Sequence, residues 1–298
     1  MSWYTVIGAL EQGLVFGLMS LGVYLTFRVL DFPDLSVDGT LPLGAAVSAA
    51  MIHAGGSPPL SLLAAMAAGM AAGAVTALMS TKLRILNLLA GILTMIALYS
   101  VNIRIMGAPN LALLNRPTVF DGLQGFGIPA HALPLALDMA VLLLVMVGLE
   151  RFLHTSFGLA LRATGDNPRM VAAQGFNTHT AIIVGVALSN GMVALSGAIL
   201  AQSFGSADVG MGLGTIIAGL ASVIIGETLV GERTVLVALV GVVLGSVLYR
   251  LAIAAALSFR FGSVSLEASD LNLITAGLVA LALTFPQIRR RLKGRAIR

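Results

Sequence analysis

Long apolar runs separated by short polar breaks dominate the chain. With about twenty apolar residues taken as the length that crosses the hydrocarbon core of a bilayer, the pattern predicts eight or nine membrane-spanning helices. The first covers about Val6 to Phe27. Thr40 to Ala54 is a short run, followed by a Gly-Ser-Pro-Pro turn and Leu60 to Met79. Ile85 to Met106, Leu133 to Leu149 and Ala181 to Ala201 are the next three, and Thr215 to Val230 is again short. Thr234 to Leu257 and Leu271 to Phe285 complete the set, and Pro286 ends the last. The expected fold is all-α: a polytopic transmembrane bundle, read as one domain over residues 1–298 because no disordered linker divides it.

Composition agrees with that pattern. The chain is 58% hydrophobic and only 10% charged, with a mean hydropathy of +0.98, whereas a soluble domain carries about 25% charge. Its 34 glycines suit helices that pack closely through small residues, since lipid supplies no hydrophobic drive between them. There is no cysteine, which excludes disulfides, metal thiolates and thiol catalysis together. The formal net charge of +4 reads by location: Lys and Arg cluster at span ends and in the tail Arg289 to Arg298, a topology signal and not a nucleic-acid footprint. Met-Ser-Trp-Tyr offers neither a basic region nor a small-residue cleavage site, so no removable signal peptide is expected. Trp3 and Tyr4 suit interfacial anchors.

The charge pattern also orients the spans. Two spans separate Lys82 and Arg84 from the polar segment around Arg162, and four separate that segment from the basic tail, so all three clusters fall on one face, the cytoplasmic one. The same parity puts Gly231 to Arg233 inside, Gly107 to Ala130 and Ser258 to Asp270 outside, and the N-terminus outside if the Thr40 run crosses fully.

Ser156 to Thr178 is the longest polar, helix-capable segment. Phe157 to Thr164 holds good helix formers, and Gly165 is expected to interrupt them. Asp166 or Asn167 can cap a new helix opened by Pro168, which Gly175 should end. The string F-G-L-A-L-R-A-T-G-D-N-P-R-M-V-A-A-Q-G-F-N resembles the cytoplasmic coupling loop of permease subunits of ATP-binding-cassette importers, in the branched-chain amino acid and ribose permease family. It departs from that pattern mainly at Phe176, where isoleucine is usual. The resemblance implies that Arg162, Ala163, Thr164, Gly165, Asp166, Asn167, Pro168, Ala172 and Gly175 sit in a groove of an ATPase subunit. It further implies two permeases, alike or related, an external solute-binding protein, and residence in the bacterial inner membrane among lipid.

Two polar breaks interrupt the apolar pattern. Asp31 to Gly44 reads D-F-P-D-L-S-V-D-G-T-L-P-L-G and Phe204 to Gly219 reads F-G-S-A-D-V-G-M-G-L-G-T-I-I-A-G. Each follows a full span and ends in Gly-Thr-x-x-x-Gly, which suggests an internal repeat whose breaks border a transport path. An ionised carboxylate in hydrocarbon costs about 2.5–3.5 kcal/mol, so Asp31, Asp34 and Asp38 must face water, a cavity or a partner. Alternatively Asp34 or Asp38 caps the following helix while Arg28 pairs with Asp31. Ser189, Asn190, Gln202 and Asp208 join these aspartates as candidates for the path. Asn87, Thr94, Asn102 and Ser196 read as interhelical glue, Glu227 as a partner of Arg233, and Asp138, Arg104 and Arg250 as side chains that snorkel from span ends. D-F-P-D-L-S-V-D-G is similar to a subgroup of uncharacterised or aromatic amino acid importers, which points to an amino-acid-like solute.

His53, His131, His154 and His179 lie far apart at span ends without ligand spacing, so neither a metal nor another cofactor is expected. No G-x-x-x-x-G-K-[ST] is present, and the chain cannot cradle ATP as a P-loop does. Two other classes compete with an ATP-driven permease: a secondary transporter using the intramembrane aspartates as its ion site, and an intramembrane aspartyl hydrolase, for which no mid-span pair is seen.

Overall fold

The computed structural model describes residues 3–122, 133–231, 233–258, 260–261 and 264–265, with 277 and 284 as single positions. The expected last span Leu271–Phe285, the tail Arg289–Arg298, Glu232 and parts of both outer loops lie outside the described residues.

Among the described residues the chain forms α1 (Trp3–Tyr24), α2 (Val37–His53), α3 (Pro58–Thr81), α4 (Asn87–Met106), α5 (Leu133–His154), α6 (Ser156–Asp166), α7 (Pro168–Ala173), α8 (Thr178–Phe204), α9 (Thr215–Val230) and α10 (Val235–Ser258). Seven helical segments are long and apolar enough to cross a membrane. α2, at 17 residues, falls short of that length, but together with the irregular segment 30–36 it returns the chain between α1 and α3, so the Thr40–Ala54 run belongs to a broken crossing. The break has a local cause. α1 widens into a π turn at Leu25–Val29, where Thr26 Oγ1 turns back onto the carbonyls of Gly22 and Val23. Leu30 to Ser36 then runs without regular helix before α2 begins.

α8 is the mast of the bundle, with 78% of its apolar window buried against 22% for α5. Its neighbours are fixed by small residues that let backbones touch. A Cβ at Gly44 of α2 would overlap the carbonyl of Ala194, and one at Gly197 would overlap the carbonyl of Leu41. Gly69 and Gly73 of α3 meet Asn190 and Val186 of α8 in the same way, and Gly22 of α1 meets Ser189. α1 and α3 therefore run antiparallel to α8, while α2, bonded to it through Thr40–Asn190 and Ser48–Gln202, runs the same way as α8. α9 and α10 form a second close pair through Gly226, Gly241 and Gly245, and α10 packs on α1, where a Cβ at Gly13 would lie 2.8 Å from the Cα of Val247.

The bundle has one basic end. Arg28, Arg162 and Arg233 line a common cleft of about 340 Å³ there with Tyr24, Leu153 and Asp166. By the positive-inside rule this is the cytoplasmic end. At the other end Asn110–Ala112 (β1) pairs antiparallel with Ser206–Asp208 (β2). A second short ribbon joins Arg260–Phe261 (β3) to Val264–Ser265 (β4).

Candidate functional site

The polar segment after α5 is two short helices, as its sequence predicts. Thr155 opens α6 by accepting from the backbone N–H of Gly158 at 3.1 Å. Asn167 caps α7, its Oδ1 accepting from the N–H of Met170 at 3.1 Å with Pro168 in the first turn. Gly175 follows at φ +84°, a left-handed conformation that glycine adopts without strain. One expectation fails: Gly165 does not interrupt α6, which continues to Asp166. The glycine is required by space instead, since a Cβ would overlap the carbonyl of Val29 at the end of α1. Phe176, the departure from the family pattern, packs edge-on against Phe157 with centroids 5.7 Å apart, and Phe157 in turn lies 6.1 Å from Phe152. The knob is thus tied to α5 and the end of α1, while Arg162, Asp166, Asn167, Pro168, Ala172 and Gly175 remain exposed; Ala163 is half-buried and Thr164 buried.

The break between α1 and α2 is organised by carboxylates. Asp34 is fully buried; its Oδ1 accepts from the N–H of Ser36 at 2.8 Å and its Oδ2 from Asn190 Nδ2 at 2.7 Å. Asn190 also accepts at Oδ1 from Ser36 and Thr40 hydroxyls at 3.1 and 2.7 Å. Asp38 does not cap its own helix. It reaches to the start of α9, accepting from Thr215 Oγ1 at 2.9 Å and from the N–H groups of Ile216 and Gly214 at 2.8 and 3.3 Å. The two polar breaks singled out in the sequence are therefore joined by a carboxylate that satisfies orphan donors at a half-helix N-terminus.

Of the other candidates, Ser189 donates to the carbonyl of Gly22 at 2.7 Å. Gln202 accepts from the N–H of Val119 at 2.8 Å and donates to Ser48 and Ser61. Asp208 caps the 3₁₀ turn Val209–Gly212 by accepting from Gly210 N–H at 2.7 Å. Asp31 stands apart, exposed and at φ +50°. The polar residues read as glue behave so: Thr94 accepts from Thr76, Asn102 donates to Gly39, Ser196 to Val15, and Asn87 accepts from Ser80.

Four pairings differ from expectation. Arg28 meets Glu227 at 2.8 Å, and neither Asp31 nor Arg233 is that partner. The turn after α9 and the end of α1 are brought together by packing that no local sequence signal reports. Asp138 does not snorkel: it is fully buried, with neither carboxyl oxygen hydrogen-bonded among the described residues. Arg250 does not snorkel either. Its guanidinium lies 3.5 Å over the ring of Phe16, and its Nε has no hydrogen-bond partner among the described residues. A desolvated cation–π contact contributes about 2 kcal/mol, less than the roughly 2.5–3.5 kcal/mol cost of an arginine deep in a bilayer.

The sequence profile of a family described as the permease component of branched-chain amino acid transport systems matches residues 5–285. The chain belongs to this family. It is 38% identical over 288 residues to the tyrosine transport system permease protein of Clostridioides difficile, covering 97% of this chain and 93% of that one. It is 32% identical over 204 residues to the galactofuranose transporter permease of Escherichia coli, covering 67% and 58%. A solved inward-facing ABC transporter assigned to the metal-chelate type has the same fold, with a TM-score of 0.52 at 17% identity over 96% of this chain and 85% of that one. The protein is thus a multi-pass permease component of an ABC transporter, with ATP hydrolysis on a separate subunit. Family membership sets aside the ion-driven and hydrolase readings.

Proposed function

We propose that this permease forms one half of an importer for an amino acid, most closely an aromatic one, in a bacterial inner membrane. A pair of permeases, two copies or this chain and a relative, encloses the path, and a periplasmic or extracellular binding protein delivers solute to the end opposite the arginines. ATPase subunits grip the exposed face of α6 and α7 through Arg162, Asp166, Asn167, Pro168, Ala172 and Gly175, while half-buried Ala163, buried Thr164 and Gly165 lie on the side that meets the bundle. Closure of the ATPases pushes this knob against the end of α1, because Gly165 and Val29 touch, and α1 continues directly into the Asp34 break. The observation that carries the reading is this contact chain from an exposed two-helix knob to a break at the middle of the bundle. The 38% identity to a tyrosine permease over nearly the whole chain supports the solute class.

Within the path, exposed Asp31 and half-buried Asp208 are the carboxylates placed to meet solute or water. Asp34, Asp38, Ser189, Asn190 and Gln202 form the wall behind them and hold both breaks in register.

The test is reconstitution with the ATPase and the binding protein encoded beside it. Calorimetry on the binding protein should find an aromatic amino acid, and uptake into proteoliposomes should need ATP and persist with a protonophore. Uptake without the ATPase, or a sugar in the binding protein, contradicts the proposal.

A further inference from the structure

Two cavities share Gln12, Arg250 and Ile253 in their lining, the larger between α1 and α10 and the smaller reaching α8 and α9 as well. The larger, of about 530 Å³, reaches past Gly8 and Ala9 to Thr5 and Leu257, near the end opposite the basic cleft. Nothing crowds it at Gly8, where an added Cβ would touch no atom within 4 Å. The smaller, of about 230 Å³, continues inward along Phe16 to Gly214, Thr215 and Ala218 at the head of α9. Arg250 therefore borders both cavities, one toward the outer end and one toward the second polar break. Its surroundings suit a waiting cation: Phe16 holds one face of the guanidinium, Nε is unpartnered, and the ion pairs of the described residues lie elsewhere. The α9 N-terminus beside it is already occupied by Asp38, so the open electrostatic capacity belongs to the arginine. A planar guanidinium with an unpartnered Nε–H among the described residues matches a carboxylate better than any neutral group, and the wall also holds Phe16, Met211, Leu213 and Phe204, which are apolar or aromatic.

We propose that Arg250 is the carboxylate-binding residue of the solute path, seizing the carboxylate of the cargo as it enters from the outer mouth while the apolar wall receives its side chain. This deepens the amino-acid reading above and rests on it. The pairing is transient, since a path must release what it holds.

Equilibrium binding of radiolabelled tyrosine and of tyramine, which lacks the carboxylate, to the purified permease–ATPase complex tests it. Tyrosine should bind at least about tenfold more tightly than tyramine, as expected where a site hydrogen-bonds a group that the analogue lacks. Arg250→Gln should lower tyrosine to the tyramine level without changing tyramine, and Arg250→Lys should recover part of the difference. Association with the ATPase subunit reports folding; should Arg250→Gln not assemble, Arg250→Lys, whose tyrosine preference should fall between wild type and none, decides the question. Unchanged tyrosine preference in an assembled Arg250 variant overturns the assignment and leaves the amino-acid reading intact. No binding of either compound to the wild-type complex also overturns it, and the calorimetry on the binding protein then decides separately whether the amino-acid reading stands.

Discussion

Asn190, midway along α8, donates from Nδ2 to the Oδ2 of Asp34 at 2.7 Å across 156 residues of sequence. The same amide accepts two hydroxyls from the start of α2, so one side chain supports the whole first break. Leaving a buried polar group without its hydrogen-bond partner costs about 1–3 kcal/mol. Asn190→Ala should therefore destabilise the protein by at least that amount, lowering the melting temperature in detergent by several degrees. Asn190→Leu, close in volume, should do no better, because the loss is of partners and not of packing. An unchanged melting temperature would show that the break is held by other contacts.

Gly165 carries no side chain because the carbonyl of Val29 occupies the place a Cβ would take. Gly165→Val should push α6 away from the end of α1, at an overpacking cost of about 1–3 kcal/mol. The expected phenotype is an assembled complex whose ATP hydrolysis no longer responds to solute. Normal stimulation by loaded binding protein would refute the contact chain.

Asn167 caps α7 with a single side-chain bond, and losing such a cap costs about 0.5–2 kcal/mol. A six-residue helix has little else to sustain it. Asn167→Ala should raise hydrogen exchange at 169–175 several-fold while leaving exchange in α8 unchanged. Equal protection in the variant would mean that the aromatic cluster around Phe157 and Phe176 suffices.

The Arg28–Glu227 pair joins the ends of α1 and α9, and its arginine is 50% exposed. Screening at that exposure limits it to about 1 kcal/mol or less. A double-mutant cycle with Arg28→Gln and Glu227→Gln should give a coupling within that bound that fades as salt rises. A coupling of several kcal/mol insensitive to salt would indicate a far drier setting.

Much of the site was readable before the fold was known. The knob announces itself through Asn167-Pro168 and Gly175, since caps and turns depend on residues adjacent in sequence. Both polar breaks were visible as aspartates set in apolar sequence. What could not be read was the partner of each carboxylate: Asp38 reaches α9, and Arg28 reaches Glu227, because those helices happen to be neighbours. Arg250 was read as snorkelling from a span end, and only the ring of Phe16 from α1 and the two cavities show that it lies between helices.

Hydropathy is a property of consecutive residues, so the amino-acid order alone determined that the chain lives in a bilayer, roughly where its spans fall, and that one polar knob projects from the arginine-bearing end. A hydrogen bond or a cavity wall depends on distances between residues far apart along the chain. Only the packing of α1, α2 and α9 around α8 decided that Asp34 is locked to Asn190, that Asp38 serves another helix, and that Gly165 is glycine for want of space.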